Sequence, residues 1–527
     1  VTGPAGEPTG AGPAAAAPAP PAAAPAAAAP AVGARVGAPA AAAAPAAAAP
    51  GAVGPAVAPA AVGPAVAPGA VGAERRRGAT GPGPVYWCEW AWLGGGAIAG
   101  AVLVRTAAGR IAEVTAGSPQ PPDAVPLPGV TLPGLANVHS HAFHRALRGR
   151  THRPGSFWSW REQMYALAAR LTPDSYHALA RAVFAEMTLA GVTAVGEFHY
   201  LHHPAGGGRY ADPNAMGHAV LAAAAEAGLR ITLLDTCYLH GGIDQPATGG
   251  QGRFSDGSAA GWANRVAGLT GGPGVRIGAA VHSVRAVPPA AIAEVAGWAA
   301  ERAAPLHVHL SEQPAENAAC LARYGRTPTA VLADAGALSR RTTAVHGTHL
   351  SPADRVLLAA TGSGVCLCPT TERDLADGIG PAAALAGAGV PISLGSDSHA
   401  VVDLLEEARA VELDQRLATG ARGHFSGADL LTAATATGMR ALGWNAGRIE
   451  PGRLADLTTI GLSSARLAGI HPAHAVDHLA FAASAADVTH TVVAGALVVA
   501  DRLHCRLGDV AAALRTALAP LDPATDG

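Results

Sequence analysis

The segment LPGLANVHSHAFHRALRG, residues 132–149, places His139, His141 and His144 at the end of an apolar run. Side chains alternate along an extended segment, so His139 and His141 share a face, roughly 6.5–7 Å apart at Cα, and two imidazoles there can reach one ion. A pair of solvated or hydrogen-bonded histidines at a strand end has the same pattern, so this motif alone decides nothing. A second pair, His307 and His309 in HVHLSEQ, is followed three positions later by Glu312. At least one of these two histidines is expected to be structural, and His309, nearer the strand end, is the better ligand candidate. His346 in AVHGTHL and Asp397 in LGSDSHA end later apolar runs. Three histidines with one aspartate form an N/O donor set suited to zinc or ferrous iron, and room left for a water makes such a site catalytic rather than structural.

These residues need a scaffold that brings distant segments together. Eight short β-rich runs are legible: GLANVHSH, GVTAVGEFHY, RITLLDTCYL, VRIGAAVHSV, PLHVHLSE, TTAVHGTHL, GVCLCPTTE and VPISLGSDS. Amphipathic stretches such as DSYHALARAVFAEMTLAG and ADRVLLAAT lie between most of them. Alternation of strand and helix predicts a parallel sheet, and eight repeats favour an α/β (β/α)8 barrel over an open doubly wound sheet. Polar residues crowd the C-terminal ends of the runs: His139 and His141, Glu197 to Tyr200, His282 to Arg285, His309 and Glu312, His346, Glu372 and Asp397. Barrel active sites are built from those strand ends, so the fold would gather them at one mouth.

The rest of the chain sets the boundaries. Residues 1–84 are mostly Ala, Pro, Gly and Val, with an imperfect repeat, AVGPAVAPAAVGPAVAPGAVG. With no aromatic, Leu or Ile before Tyr86 to build a core, this segment is expected to be a disordered tail. Glycine-punctuated β runs at 85–130 and 446–510 suggest one small β-sandwich built from both flanks of a barrel at 131–445, leaving a C-terminal tail at 511–527. A net charge of -2 gives no bulk reason to expect nucleic acid or an anionic membrane as partner. No uninterrupted apolar stretch of ~18 residues offers a membrane span. Six scattered cysteines read as reduced thiols of a cytoplasmic protein, with Cys366 and Cys368 a small buried pair lacking a histidine partner, and His202 and His203 read as orienting a loop. The chain contains no lysine, which removes lysine from any mechanism.

His-X-His after strand one, His after strands five and six and Asp after strand eight resemble the amidohydrolase superfamily, from about residue 86 onward. The resemblance implies one divalent ion per subunit, zinc or alternatively Fe2+, on His139, His141, His309 and Asp397. The absence of lysine excludes the binuclear variant bridged by carboxylated lysine unless a glutamate substitutes, and HLSE is similar to the mononuclear deaminase branch. The motifs YWCEWAWL, HSHAFHRALRG, FWSWREQMY, GEFHYLHH, VHSVRAV, HVHLSEQPAE, CPTTERDLADG and LGSDSHA resemble the N-formimino-L-glutamate deiminases of histidine degradation. That likeness implies hydrolysis of the formimino group to N-formyl-L-glutamate and ammonia, with Asp397 taking the proton of water, Glu312 carrying a proton to the leaving nitrogen and His346 bonding the tetrahedral centre without being a permanent ligand. It also implies that Arg161 and Arg285 grip the substrate carboxylates, that Tyr200 and His282 complete the pocket, and that the protein is a homodimer. His144 is a further substrate-binding candidate, standing where some members carry glutamine. The competing functions are an aminohydrolase acting on a purine, pyrimidine or triazine ring, and a non-catalytic barrel serving as a scaffold.

Overall fold

The computed structural model describes residues 81–95, 97–152, 157–206 and 208–522, so the expectation of a disordered tail lies, up to residue 80, outside the described residues. Eight parallel strands form one sheet in sequential order: β1 (Leu135–Ser140), β2 (Val192–His199), β3 (Arg230–Cys237), β4 (Val275–Val281), β5 (Leu306–Leu310), β6 (Thr342–His346), β7 (Gly364–Leu367) and β8 (Ile392–Leu394). Each coincides with one of the apolar runs. Every residue of β1, β2, β3, β5 and β6 is buried, as expected of parallel strands covered on both faces, and this is why they read as continuous apolar runs.

The sheet curls until its ends meet. Ser140 bridges Asp397 in parallel, the Asp397 N–H donates to the His139 carbonyl at 3.0 Å, and the His141 N–H donates to the Asp397 carbonyl at 3.2 Å. Gly395 makes this approach possible: a Cβ there would lie 2.8 Å from both the Cβ and the carbonyl oxygen of His139. The result is a nearly closed (β/α)8 barrel. Connecting helices start on local signals. Thr172 and Ser351 form capping boxes, and Pro173 and Pro352 open the helices Pro173–Leu189 and Pro352–Thr361.

Both flanks of the barrel contribute to a second sheet of eight strands. Leu457–Ile460 pairs antiparallel with Val125–Pro133, joining a C-terminal meander to the strands Pro82–Trp92, Ile98–Ala107 and Arg110–Thr115. Tyr86, Cys88, Val102, Val104, Leu127, Leu457 and Val492 form its core. The helix Val510–Leu518 buries Val510, Leu514 and Ala517 and packs beside Pro173–Leu189. Among the described residues, no helix is long and apolar enough to cross a membrane.

Candidate active site

The strand ends bring four donor groups to one point. The His139 Nε2 lies 3.1 Å from the His309 Nε2 and 3.3 Å from the Asp397 Oδ1, and the His141 Nε2 lies 3.3 Å from the same oxygen. Ligand atoms about 2.0–2.1 Å from a tetrahedral ion stand about 3.3 Å from one another, so these separations are those of coordination edges. Two imidazole nitrogens facing each other make one hydrogen bond at most, whereas a cation between them uses both lone pairs. The His141 Nδ1 donates to the Phe198 carbonyl at 3.0 Å, which leaves the Nε2 lone pair pointing inward. Burial pushes the pKa values of His139 and His309 down and that of His141 to about 3, keeping all three neutral as ligation requires. Burial alone would raise the Asp397 carboxyl, but the His139 hydrogen bond and the neighbouring histidines hold it well below the usual range. These residues could hold a metal ion.

The backbone bends sharply where these side chains emerge. Ser311, His346 and Asp397 have φ of 51°, 67° and 40°, in the left-handed region, at an expected cost of about 1 kcal/mol or more each. The bends turn Glu312, His346 and Asp397 toward one another. The His346 Nε2 stands 3.9 Å from the Glu312 Oε1 and 3.7 Å from the Asp397 Oδ2, while its Nδ1 donates to the Glu372 Oε1 at 3.3 Å. The Cys368 N–H fixes that same Glu372 oxygen at 2.9 Å. Burial raises the Glu312 pKa against the pull of His346 and Arg285. One expectation needs correction here. Cys368 does have a histidine partner, because β6 ends beside β7 and the Cys368 thiol, His346 and Glu372 place their ligand atoms within 4.8 Å of one another.

His144, Arg161, Tyr200, His282 and Arg285 line one cavity together with His141, His309, Glu312, His346 and Asp397. The His144 Nε2 and the Tyr200 hydroxyl share a hydrogen bond at 2.9 Å. Arg285 adds a feature that its motif does not reveal: its Nη2 lies 3.2 Å from Glu312 and its Nε 3.4 Å from the buried Glu316. Burial pushes the Glu316 carboxyl up to about 7 despite this arginine. The cavity also contains Tyr165 and Tyr238, which the sequence reading misses. The Gln251 Nε2 donates to both hydroxyls, at 3.0 and 3.1 Å, and its Oε1 accepts the Thr248 N–H at 3.0 Å. The legible signal for Gln251 is the T-x-x-Q capping pattern inside a glycine-rich loop.

The amidohydrolase family profile matches residues 130–498. The chain belongs to this family. It is 39% identical over 392 residues to the formimidoylglutamate deiminase of Pseudomonas aeruginosa, spanning 72% of this chain and 86% of that protein. A 5-methylthioadenosine/S-adenosylhomocysteine deaminase of Natronomonas pharaonis is 33% identical, spanning 71% and 82%. Among solved structures, an amidohydrolase from Brucella melitensis superposes with a TM-score of 0.75 at 32% identity, covering 83% of this chain and 99% of that one. A zinc-bearing adenosine deaminase from Xanthomonas campestris gives 0.72 at 25% identity, covering 85% and 100%.

Other polar groups of this amidohydrolase barrel serve the frame. Glu197 clasps the His-X-His turn, accepting from the Ser140 hydroxyl at 2.6 Å and the Ala142 N–H at 2.7 Å. His199, His202 and Asp235 also come together, but the Asp235 oxygens accept Arg265 at 2.8 and 2.9 Å and the Trp262 Nε1 at 2.9 Å. With that carboxylate occupied, the cluster is a buried charge network rather than an ion site. His202 donates to the Thr236 carbonyl and His203 to Asp256, both at 2.9 Å. Those contacts tie the segment after Tyr200 to β3 and to the loop beyond it.

Proposed function

We propose that this amidohydrolase converts N-formimino-L-glutamate and water to N-formyl-L-glutamate and ammonia, using one divalent ion, zinc ahead of Fe2+, held by His139, His141, His309 and Asp397. The observation that carries the reading is one cavity that combines acid–base groups with anion-binding donors. Glu312, His346 and Asp397 meet in it, and Arg285, 3.2 Å from Glu312, lines it together with Arg161, Tyr165 and Tyr238. The formiminoglutamate deiminase relative supports the substrate, and the zinc-bearing structural relative supports the metal.

A bound divalent ion supplies Lewis acidity and brings the pKa of water toward neutrality. Asp397, held ionised by its histidines, accepts the proton that water loses on attacking the formimino carbon. His346 donates a hydrogen bond to the incoming oxygen from a position between Glu312 and Asp397. Glu312 protonates the imino nitrogen as water adds. The proton held by Asp397 then passes to the same nitrogen while Glu312 takes the hydroxyl proton, so the formyl C=O forms and the C–N bond breaks with ammonia as the leaving group. Guanidinium forks match carboxylates in geometry as well as charge, and Arg161 and Arg285 hold the two carboxylates of the glutamyl part. Tyr200, His282 and His144 line the same cavity and complete the substrate pocket.

A second reading rests on the aromatic lining, Trp160, Tyr165, Tyr238 and Phe254, which could face a flat base as in the purine-nucleoside deaminase relatives. Ammonia release by the zinc-loaded protein from N-formimino-L-glutamate, S-adenosylhomocysteine and 8-oxoguanine separates the two. Turnover of the first substrate alone is expected, and turnover confined to the purines overturns the dicarboxylate reading. The proposal includes a cytoplasmic homodimer, and a monomer in sedimentation would remove the dimer from it.

A further inference from the structure

The opposite end of the barrel, where the strands begin, carries a second cavity with a different chemistry. It measures about 910 Å3 and is lined by Arg276, Arg340, Arg341, Arg440, Arg448 and Arg453 around Trp444. Arg276 is the second residue of β4 and Arg341 immediately precedes β6, so the cavity and the candidate active site sit at opposite ends of the same strands. No aspartate or glutamate is among its described lining residues. The whole chain has 36 basic and 38 acidic residues, so an even sample of its surface would bring acids along with these arginines. Arg453 is ion-paired with Glu450 at 2.6 Å, and the other five are matched by no carboxylate among the described residues.

One of these charges is also held in place by an aromatic ring. Arg276 packs over the Trp444 ring at 4.6 Å while Arg230 lies 4.8 Å from that ring. Partial desolvation, and then the charge of Arg230, which is itself paired with Asp456 at 2.9 Å, keep the Arg276 guanidinium below its usual range. Guanidinium groups bind phosphate through paired N–H donors, and the cavity falls within the size range of small-molecule sites. A dicarboxylate brings only two charges, whereas neutralising five arginines calls for a single anion bearing several. A nucleic acid is disfavoured, because a chain with net charge -2 and pI near 6.9 has no long-range attraction for a polyanionic polymer.

We propose that this cavity binds an oligophosphate of three or more phosphate groups, inorganic or carried by a nucleoside. The site is independent of the substrate assigned to the other end of the barrel.

The test is calorimetric titration of the metal-loaded full chain at low salt with inorganic tripolyphosphate and, separately, with ATP. One site per chain is expected, with affinity falling as salt is added. The exposed pair Arg340→Gln/Arg440→Gln should weaken binding at least tenfold and leave the unfolding temperature unchanged; Arg341→Gln/Arg448→Gln is the second pair should the first fold poorly. Equal affinity for the two probes supports a site for the phosphate chain alone, and tighter ATP supports one that also takes the nucleoside. Binding of neither probe, or equal binding by wild type and both paired variants, overturns the proposal. So does heat that tracks loss of metal from the recovered protein, which is chelation. Single-stranded RNA that binds more tightly than either probe and loses affinity in the same variants would replace the small anion with a polymer.

Discussion

Gln251 has one orientation open to it, because a backbone N–H must meet its oxygen and thereby turns its amide nitrogen toward Tyr165 and Tyr238. Both phenol oxygens then act as acceptors; the two hydroxyls also hydrogen-bond each other, so one of their protons is left for an anion in the cavity. Tyr165→Phe should therefore raise KM for N-formimino-L-glutamate about tenfold with little change in kcat, the size of one lost hydrogen bond to a charged group. Gln251→Glu should do at least as much harm, since the new carboxylate claims those protons and adds a negative charge. A kcat loss with unchanged KM in either variant would take the tyrosines off the substrate. Glu312→Gln should lower kcat by about 10²–10⁴ with normal metal content, the cost of removing proton transfer. The HLSE motif makes Glu312 legible, but the second task of Arg285 is not, because its contacts with Glu312 and Glu316 arise only when β4 and β5 lie side by side. Arg285→Met is expected to cost roughly 30- to 1000-fold in kcat/KM, with kcat falling as well as KM rising. Normal kcat would assign the residue to carboxylate binding alone.

At the scale of elements, all eight barrel strands are legible in the sequence because most of their residues are buried, five of the strands entirely, and so appear as short apolar runs. The sequence marks the loop after β3 only by its Gly and Pro content, because what orders it is a set of partners far apart in sequence. Arg265 binds Asp235 at 2.8 Å and Asp256 at 2.9 Å, and Asp256 also accepts from His203. Burial would raise both carboxyls, but Arg265 outweighs it at Asp235, and the His203 hydrogen bond together with nearby positive charge outweighs it at Asp256, so both are held below their usual range. A depressed carboxyl contributes stability that is complete above its unfolded pKa of about 4 and is lost as pH falls through the folded value. Wild-type unfolding temperature should thus fall on acidification below about pH 4. Arg265→Met leaves the buried Asp235 without its arginine, while Asp256 keeps His203 and Arg209, and should cost about 3–5 kcal/mol at pH 7. Without the arginine, burial raises the Asp235 carboxyl above its unfolded value, so the sign reverses there and the variant should regain stability between pH 7 and pH 5. Thermal unfolding at those two pH values checks this, and a deficit that stays constant or grows on acidification would show that Arg265 acts by packing alone.

For the whole molecule, the seam that closes the barrel and the candidate metal centre are the same place. β8 has only three residues, and it meets β1 through one bridge and the two hydrogen bonds that link His139, His141 and Asp397. An ion bound by two side chains from the first strand end and one from the last crosses this seam, and His309 ties it to the far side of the barrel. Binding to the folded state alone stabilises by RT ln(1 + [L]/Kd), which reaches about 4 kcal/mol at a thousandfold excess over Kd. Chelation should therefore lower the unfolding temperature by several degrees, with restoration when zinc is returned. The loss should also be local. Amide exchange in the metal-depleted protein should speed up across residues 135–141 and 392–397, where few backbone bonds remain to hold the closure. The flanking sheet has a core of its own around Tyr86, Leu127 and Leu457, and its exchange should change little. Asp397→Asn offers an independent check, since an amide is a weaker ligand and should give the same local pattern at a milder level. Uniform acceleration over the barrel and the flanking sheet would mean that the ion stabilises the fold as a whole, and unchanged exchange at both strand ends would separate the metal from barrel closure.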